Sequence, residues 1–163
     1  DGRVISVHRE DGFAALRPLL PPPPGAGGSR RALVLMDPSY EIKSDYARVA
    51  TMVAEALKRF ATGTYAVWYP IIPRPEAHDL PRKLKTLATK AGKPWLHATL
   101  TVKSSKITSD PTGEAKRPGL PASGMFVINP PHTLKAELQP VLPQLAALLG
   151  QDRNAGSTLD SAG

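Results

Sequence analysis

Asp37-Pro38-Ser39-Tyr40 is the stretch of this sequence whose residue types could do chemistry. It lies between an apolar run of a buried type, Ala32-Leu33-Val34-Leu35-Met36, and a helix-like segment that begins near Asp45. A carboxylate, a proline and an aromatic at the carboxyl end of a strand can hold an amino-bearing base turned out of its stack. The Asp37 carboxylate is one acceptor for the amino hydrogens and the Pro38 carbonyl is a second. Tyr40 offers a flat face for stacking. Such a group suits methylation of an exocyclic amine. The amine lone pair is delocalised into the ring, so the nitrogen is a poor nucleophile. Two acceptors would draw it toward pyramidal geometry and stabilise the positive charge that develops as a methyl group arrives. A plain Asp-Pro turn between strand and helix uses the same residues, so the surroundings decide.

The elements that must position this turn alternate in type. Arg3 to His8 reads as a strand, and Asp11-Gly12 then opens a short helical stretch, Phe13 to Leu20. Pro21 to Pro24 and Gly25 to Gly28 form a loop. After the strand Ala32 to Met36, the spacing of Tyr46, Val49, Ala50, Val53, Leu57 and Phe60 predicts an amphipathic helix. Gly63 is placed to end that helix in the left-handed conformation. Tyr65 to Tyr69 is a third strand closed by Pro70, and a helix follows from about Pro81 to Ala91. That helix buries Leu84, Leu87 and Ala88 and presents Arg82, Lys83, Lys85 and Lys90 as an ordinary solvated face. Leu96 to Val102 and Met125 to Ile128 make the fourth and fifth strands. Leu134, Leu138, Leu142, Leu145 and Leu149 mark a last helix, which Pro140 and Pro143 are expected to break or kink. Residues 150–163 read as a loose, flexible tail behind a single unit, 1–149.

Strands alternating with helices predict an α/β fold, a mostly parallel sheet with helices on both faces. In such sheets ligands bind outside the carboxyl ends of the strands. Asp11, Asp37 and Tyr69 each fall near the end of an expected strand, so all three are predicted to share one rim.

Composition sets the outer limits. The chain has 163 residues, 41% of them hydrophobic, which suits one globular domain. It has no cysteine, so disulfides, thiolate metal sites and cysteine nucleophiles are excluded for these residues. No apolar run approaches the roughly 20 residues that span a bilayer, so no membrane partner is expected. The four histidines are scattered without metal-ligand spacing, and no metal is expected. A net charge of +7 favours a polyanionic partner such as nucleic acid. The polar, charged start shows no secretory signal and suits a cytoplasmic protein. The chain begins at Asp1, so it is expected to be processed or part of something longer.

Glu10-Asp11-Gly12-Phe13, then Asp37 to Tyr46, Lys58 to Gly63, Trp68-Tyr69-Pro70 and Ser123 to Pro131 form an ordered set of motifs. In that order they resemble the ribosomal RNA large subunit methyltransferase J family. These are class I (Rossmann-like) methyltransferases acting on adenine N6 in 23S ribosomal RNA. The resemblance covers most of residues 3 to 145 and is to the family's carboxy-terminal portion. The family's earlier Gly-rich turn and ribose-binding acid find no match, so the amino-terminal strands are expected to be missing. This chain alone is then expected to bind cofactor weakly and to be inactive. The resemblance implies S-adenosylmethionine as cofactor, with Asp11, Gly12 and Asp37 among its contacts. It also implies Asp37, Pro38 and Tyr40 as catalytic residues, 23S ribosomal RNA as partner, and a monomer. Ser39 stands where the family usually has proline, which predicts a looser turn and slower chemistry. Asp11 would equally serve as a helix N-cap. Lys103, Lys106, Lys116 and Arg117 lie in a polar loop that either contacts RNA phosphates or is simply solvated. A basic nucleic-acid-binding module without catalysis and a DNA adenine-N6 methyltransferase are the other readings these residues allow.

Overall fold

The computed structural model describes residues 5–25, 28–106, 108–109, 115–116 and 119–163. The elements are α1 (Gly12–Leu19), β1 (Leu33–Met36), α2 (Ser44–Arg59), β2 (Thr64–Ile71), α3 (Pro75–Lys90) and β3 (Trp95–Thr101), followed by a short hairpin of β4 (Thr108–Ser109) and β5 (Ala115–Lys116). The chain continues through β6 (Ala122–Ile128), α4 (Leu134–Leu149) and β7 (Gly156–Ala162). The main sheet has five strands in the order β1-β2-β6-β3-β7.

That order corrects the mostly parallel sheet expected from the alternation. Only β1 and β2 pair in parallel, while β2–β6, β3–β6 and β3–β7 are antiparallel. The cause is the insertion of β6 between β2 and β3, where it runs against both. Strands β1, β2 and β3 still share one direction, so the crossovers through α2 and α3 behave as the alternation required. Alternation fixed strand direction; it did not fix neighbours.

Helices cover both faces, unequally. Tyr65, Val67, Trp95, Phe126 and Ile128 form one face and meet Val49 and Val53 of α2 and Leu80 and Leu84 of α3 in the main core. Leu96 and Ala98 face the other way, against Leu142 of α4. Burying one large apolar side chain contributes about 1.5–3 kcal/mol, so the larger cluster dominates stability. One close approach in it requires glycine. Gly124 on β6 lies opposite Tyr69 on β2, and the tyrosine ring crosses the space a Cβ would fill.

Several local expectations are overturned. Residues 5–9 form no strand, and Ile5 and Val7 are 88% and 91% exposed; Arg3 and Val4, the start of the expected strand, lie outside the described residues. Gly63 does not adopt a positive φ; it is small because the Phe60 ring and the Tyr65 hydroxyl crowd it. Pro70 does not close its strand. It sits inside β2 opposite Ser123, beyond Val67, where β1 pairing has already ended and no donor is needed on that side. Helix α3 starts at Pro75, whose fixed φ suits a first turn, and carries Pro81 within it. Pro140 and Pro143 sit within an unbroken α4. The expected flexible tail, 150–163, contains β7, paired along the whole of β3. With Leu159 as the one large apolar residue in β7, main-chain bonding and a 2.6 Å hydrogen bond between the Thr99 and Thr158 hydroxyls hold what hydrophobic pattern could not signal.

Candidate active site

Strand β1 ends at Met36 and delivers Asp37 to the rim formed by the carboxyl ends of β1, β2 and β3. Asp37 is exposed and makes no side-chain hydrogen bond or ion pair with the described residues. Pro38 is half-buried beside it. Tyr40 then takes φ of +57°, a left-handed conformation that L-residues with side chains adopt at a cost of about 1–3 kcal/mol and hold only when their surroundings enforce it.

The enforcement is visible. The Tyr40 hydroxyl donates to the Trp68 carbonyl at 2.7 Å, and its ring packs on Tyr46 with centroids 4.6 Å apart. Arg74, from the loop after β2, donates to the Tyr40 carbonyl at 3.2 Å and so ties the turn to the neighbouring crossover. Burial drives the Tyr40 pKa well above the usual phenol range, so the hydroxyl stays a neutral donor. The expected stacking role of Tyr40 is corrected by the same facts: a ring 2% exposed has no free face for a base. It fastens the turn instead.

A cavity of about 370 Å³ opens between α1 and β1. Gly12, Phe13 and Leu16 of α1 line one side, with Asp37 and Pro38 on the other. Gly12 and the Asp37 turn therefore line the same cavity. Asp11, just before it, caps α1. Its Oδ1 accepts from the Phe13 and Ala14 amides at 2.8 and 3.3 Å, and its Oδ2 accepts from Arg48 Nη2 at 2.6 Å. The Arg48 hydrogen bond first, and the Phe13 amide second, hold the Asp11 pKa below the ordinary carboxylate value. Arg48 also lies 4.1 Å from the Phe13 ring centre and 3.7 Å from Asp45.

Tyr69 is not on the rim. It lies within β2, 2% exposed, with its hydroxyl 2.7 Å from His97 Nε2. Burial raises its pKa to about 12 and lowers that of His97. Lys103 and Lys106 follow β3 and stand on the rim side of the sheet, three strand positions from β1, or about 14 Å by strand spacing. Of Lys116 only the backbone, in β5, is described, and Arg117 lies outside the described residues. Sequence reasoning missed Arg48 and Arg74. Their partners are 37 and 34 residues away, so no local pattern marks them. Among the described residues no group of three His, Cys, Asp or Glu side chains could hold a metal ion, and no helix is long and apolar enough to cross a membrane.

A five-stranded mixed sheet with helices on both faces, carrying an Asp-Pro-Ser-Tyr turn beside a partly apolar cavity, is consistent with a methyltransferase-like fold. The family described as "RsmJ: Ribosomal RNA large subunit methyltransferase D, RlmJ" matches residues 1–160, and the chain belongs to it. It is 37% identical over 160 residues to ribosomal RNA large subunit methyltransferase J of Haemophilus influenzae, covering 98% of this chain and 51% of that protein. It is 40% identical over 143 residues to the protein of the same name from Escherichia coli, covering 88% of this chain and 45% of that one. A crystal structure of a Legionella pneumophila protein superposes with a TM-score of 0.71 at 28% identity, covering 94% of this chain and 49% of the other. The chain thus spans about half the length of the relatives it matches.

Proposed function

We propose that this chain supplies the substrate-amine side of a methyltransferase acting on the N6 amine of an adenine in 23S ribosomal RNA, with S-adenosylmethionine as cofactor. The observation that carries the reading is the contrast within one turn. Asp37 is exposed and uncommitted at a cavity, while the buried Tyr40 two residues after Pro38 pins the backbone that presents it. The names of the relatives specify ribosomal RNA, which favours RNA over DNA as substrate. A cytoplasmic monomer follows from the same reading.

Asp37 and the Pro38 carbonyl accept the two N6 hydrogens of an adenine turned into the site. A carboxylate with no internal partner needs no bond broken before it receives them. The two acceptors localise the nitrogen lone pair and stabilise the ammonium formed as methyl is added. That ammonium is acidic, so Asp37 need not be a strong base. Bound S-adenosylmethionine supplies the electrophilic methyl group. Phe13 and Leu16 would offer apolar walls to its adenine, with Gly12 lining the same cavity. A carboxylate has about four lone-pair sites. Asp11 uses three of them on Phe13, Ala14 and Arg48, which leaves one acceptor for a cofactor amino group. By itself this chain is expected to bind cofactor weakly and to be inactive, since it spans about half of its relatives.

The test uses the protein at its natural length and unmodified 23S ribosomal RNA, following labelled methyl incorporation. Asp37→Ala is expected to lower the rate at least about 100-fold, the scale seen when one preorganised polar partner is removed. Equal rates for the two proteins reject the assignment.

A further inference from the structure

Helices α2 and α3 both begin at the rim that carries Asp37, because each follows a strand of the shared direction. Side by side, they leave an outer groove of about 740 Å³. Ala47, Ala50 and Ala54 recur along one side of α2 and keep its floor low. The opposite wall is α3, with Arg82, Lys83 and Lys90. Asp79 is the acid lining the groove, and it is engaged with Arg82 at 2.8 Å.

The cations of α3 divide into two sets. Lys85 turns away, 4.5 Å from the Trp95 ring centre and 3.7 Å from Asp160. Lys83 and Lys90 are exposed in the groove and form no ion pair with the described residues. Seven residues separate them, which is two helical turns or about 10 Å along one face. Two unneutralised ammonium groups in line along a channel fit a chain of evenly spaced anions. The net charge of +7 adds a general attraction for polyanions. The solvated face expected of this helix is exposed as expected, and part of it lines the groove.

We propose that the α2–α3 groove binds the phosphodiester backbone of the single RNA strand flanking the target adenine, chiefly through Lys83 and Lys90. The proposal rests on the methyl-transfer reading for its choice of RNA, and it extends that reading from the reacting base to the strand beside it.

The experiment measures equilibrium binding of a fluorescein-labelled 20-nucleotide single-stranded RNA to the protein at its natural length, without cofactor, across a potassium chloride series. For single strands each phosphate contact contributes about 0.7 to the slope of log affinity against log salt, so Lys83→Gln/Lys90→Gln should lower that slope by about 1.4. Thr51→Glu, at an exposed floor position that a helix tolerates, should weaken binding while keeping both lysines. Lys135→Gln/Arg153→Gln removes the same charge from exposed positions elsewhere and should leave the slope unchanged. Equal slopes for wild type and the groove pair overturn the proposal, and so does an equal loss in the control pair. Binding is read without methyl transfer, so failure of the Asp37 assignment would leave this result separately legible.

Discussion

Asp11 and Asp37 stand on the two elements that enclose one cavity, yet they are held in opposite ways. Asp11 accepts from two backbone amides and a guanidinium, so three of its roughly four lone-pair sites are spent as the N-cap of α1. Asp37 accepts from no described residue and faces outward. A carboxylate whose hydrogen bonds are satisfied internally stabilises structure, and one left open is available to a ligand. Both acids looked alike in sequence, each near an expected strand end. The difference comes from partners that only the fold supplies.

That contrast can be broken in several places. The largest effect is expected at Asp37→Asn, which keeps size but loses charge and one acceptor: methyl transfer should fall about 100-fold or more while the urea midpoint stays put. A shifted midpoint would mean that Asp37 is structural after all. Next comes Tyr40→Phe. It leaves the Trp68 carbonyl without its donor and should cost about 1–3 kcal/mol in urea unfolding. No change there would show that the turn is pinned by something else. Asp11→Ala should lower the urea midpoint by a smaller step, since an exposed cap and its Arg48 pair are lost together, and Asp11→Asn should recover most of the cap.

The smallest effect is on acid stability. Because the folded pKa of Asp11 is depressed, its stabilising contribution is complete above the unfolded value near 3.8 and disappears as pH falls through the folded value. Asp11→Asn should therefore flatten the decline in thermal midpoint below about pH 4 relative to wild type. Identical declines would mean that the Arg48 pair does not persist in solution.

Much of this was legible in the residues. Apolar spacing located α2, the run from Ala32 to Met36 located β1, and the ordered motifs identified the family. What was hidden has physical causes. The neighbours of a strand depend on where a later strand inserts, so β6 converted an expected parallel sheet into a mostly antiparallel one. Strand β7 carries little apolar pattern because its partner and its hydroxyls hold it. The inward turn of Tyr40 depends on a carbonyl 28 residues away. Arg48 reaches Asp11 across 37 residues, which no helix-spacing argument could anticipate.

The missing side chain at Gly124 has a consequence for assembly of the sheet. The Tyr69 ring leaves clearance at that single residue of β6. Sliding β6 by one position would put the side chain of Ser123 or Met125 there and would also turn every core residue of β6 to the wrong face. The strand that joins β2 to β3 can therefore seat in one alignment only, and the spacing between the Asp37 turn and the β3 end of the rim is fixed by where that notch lies.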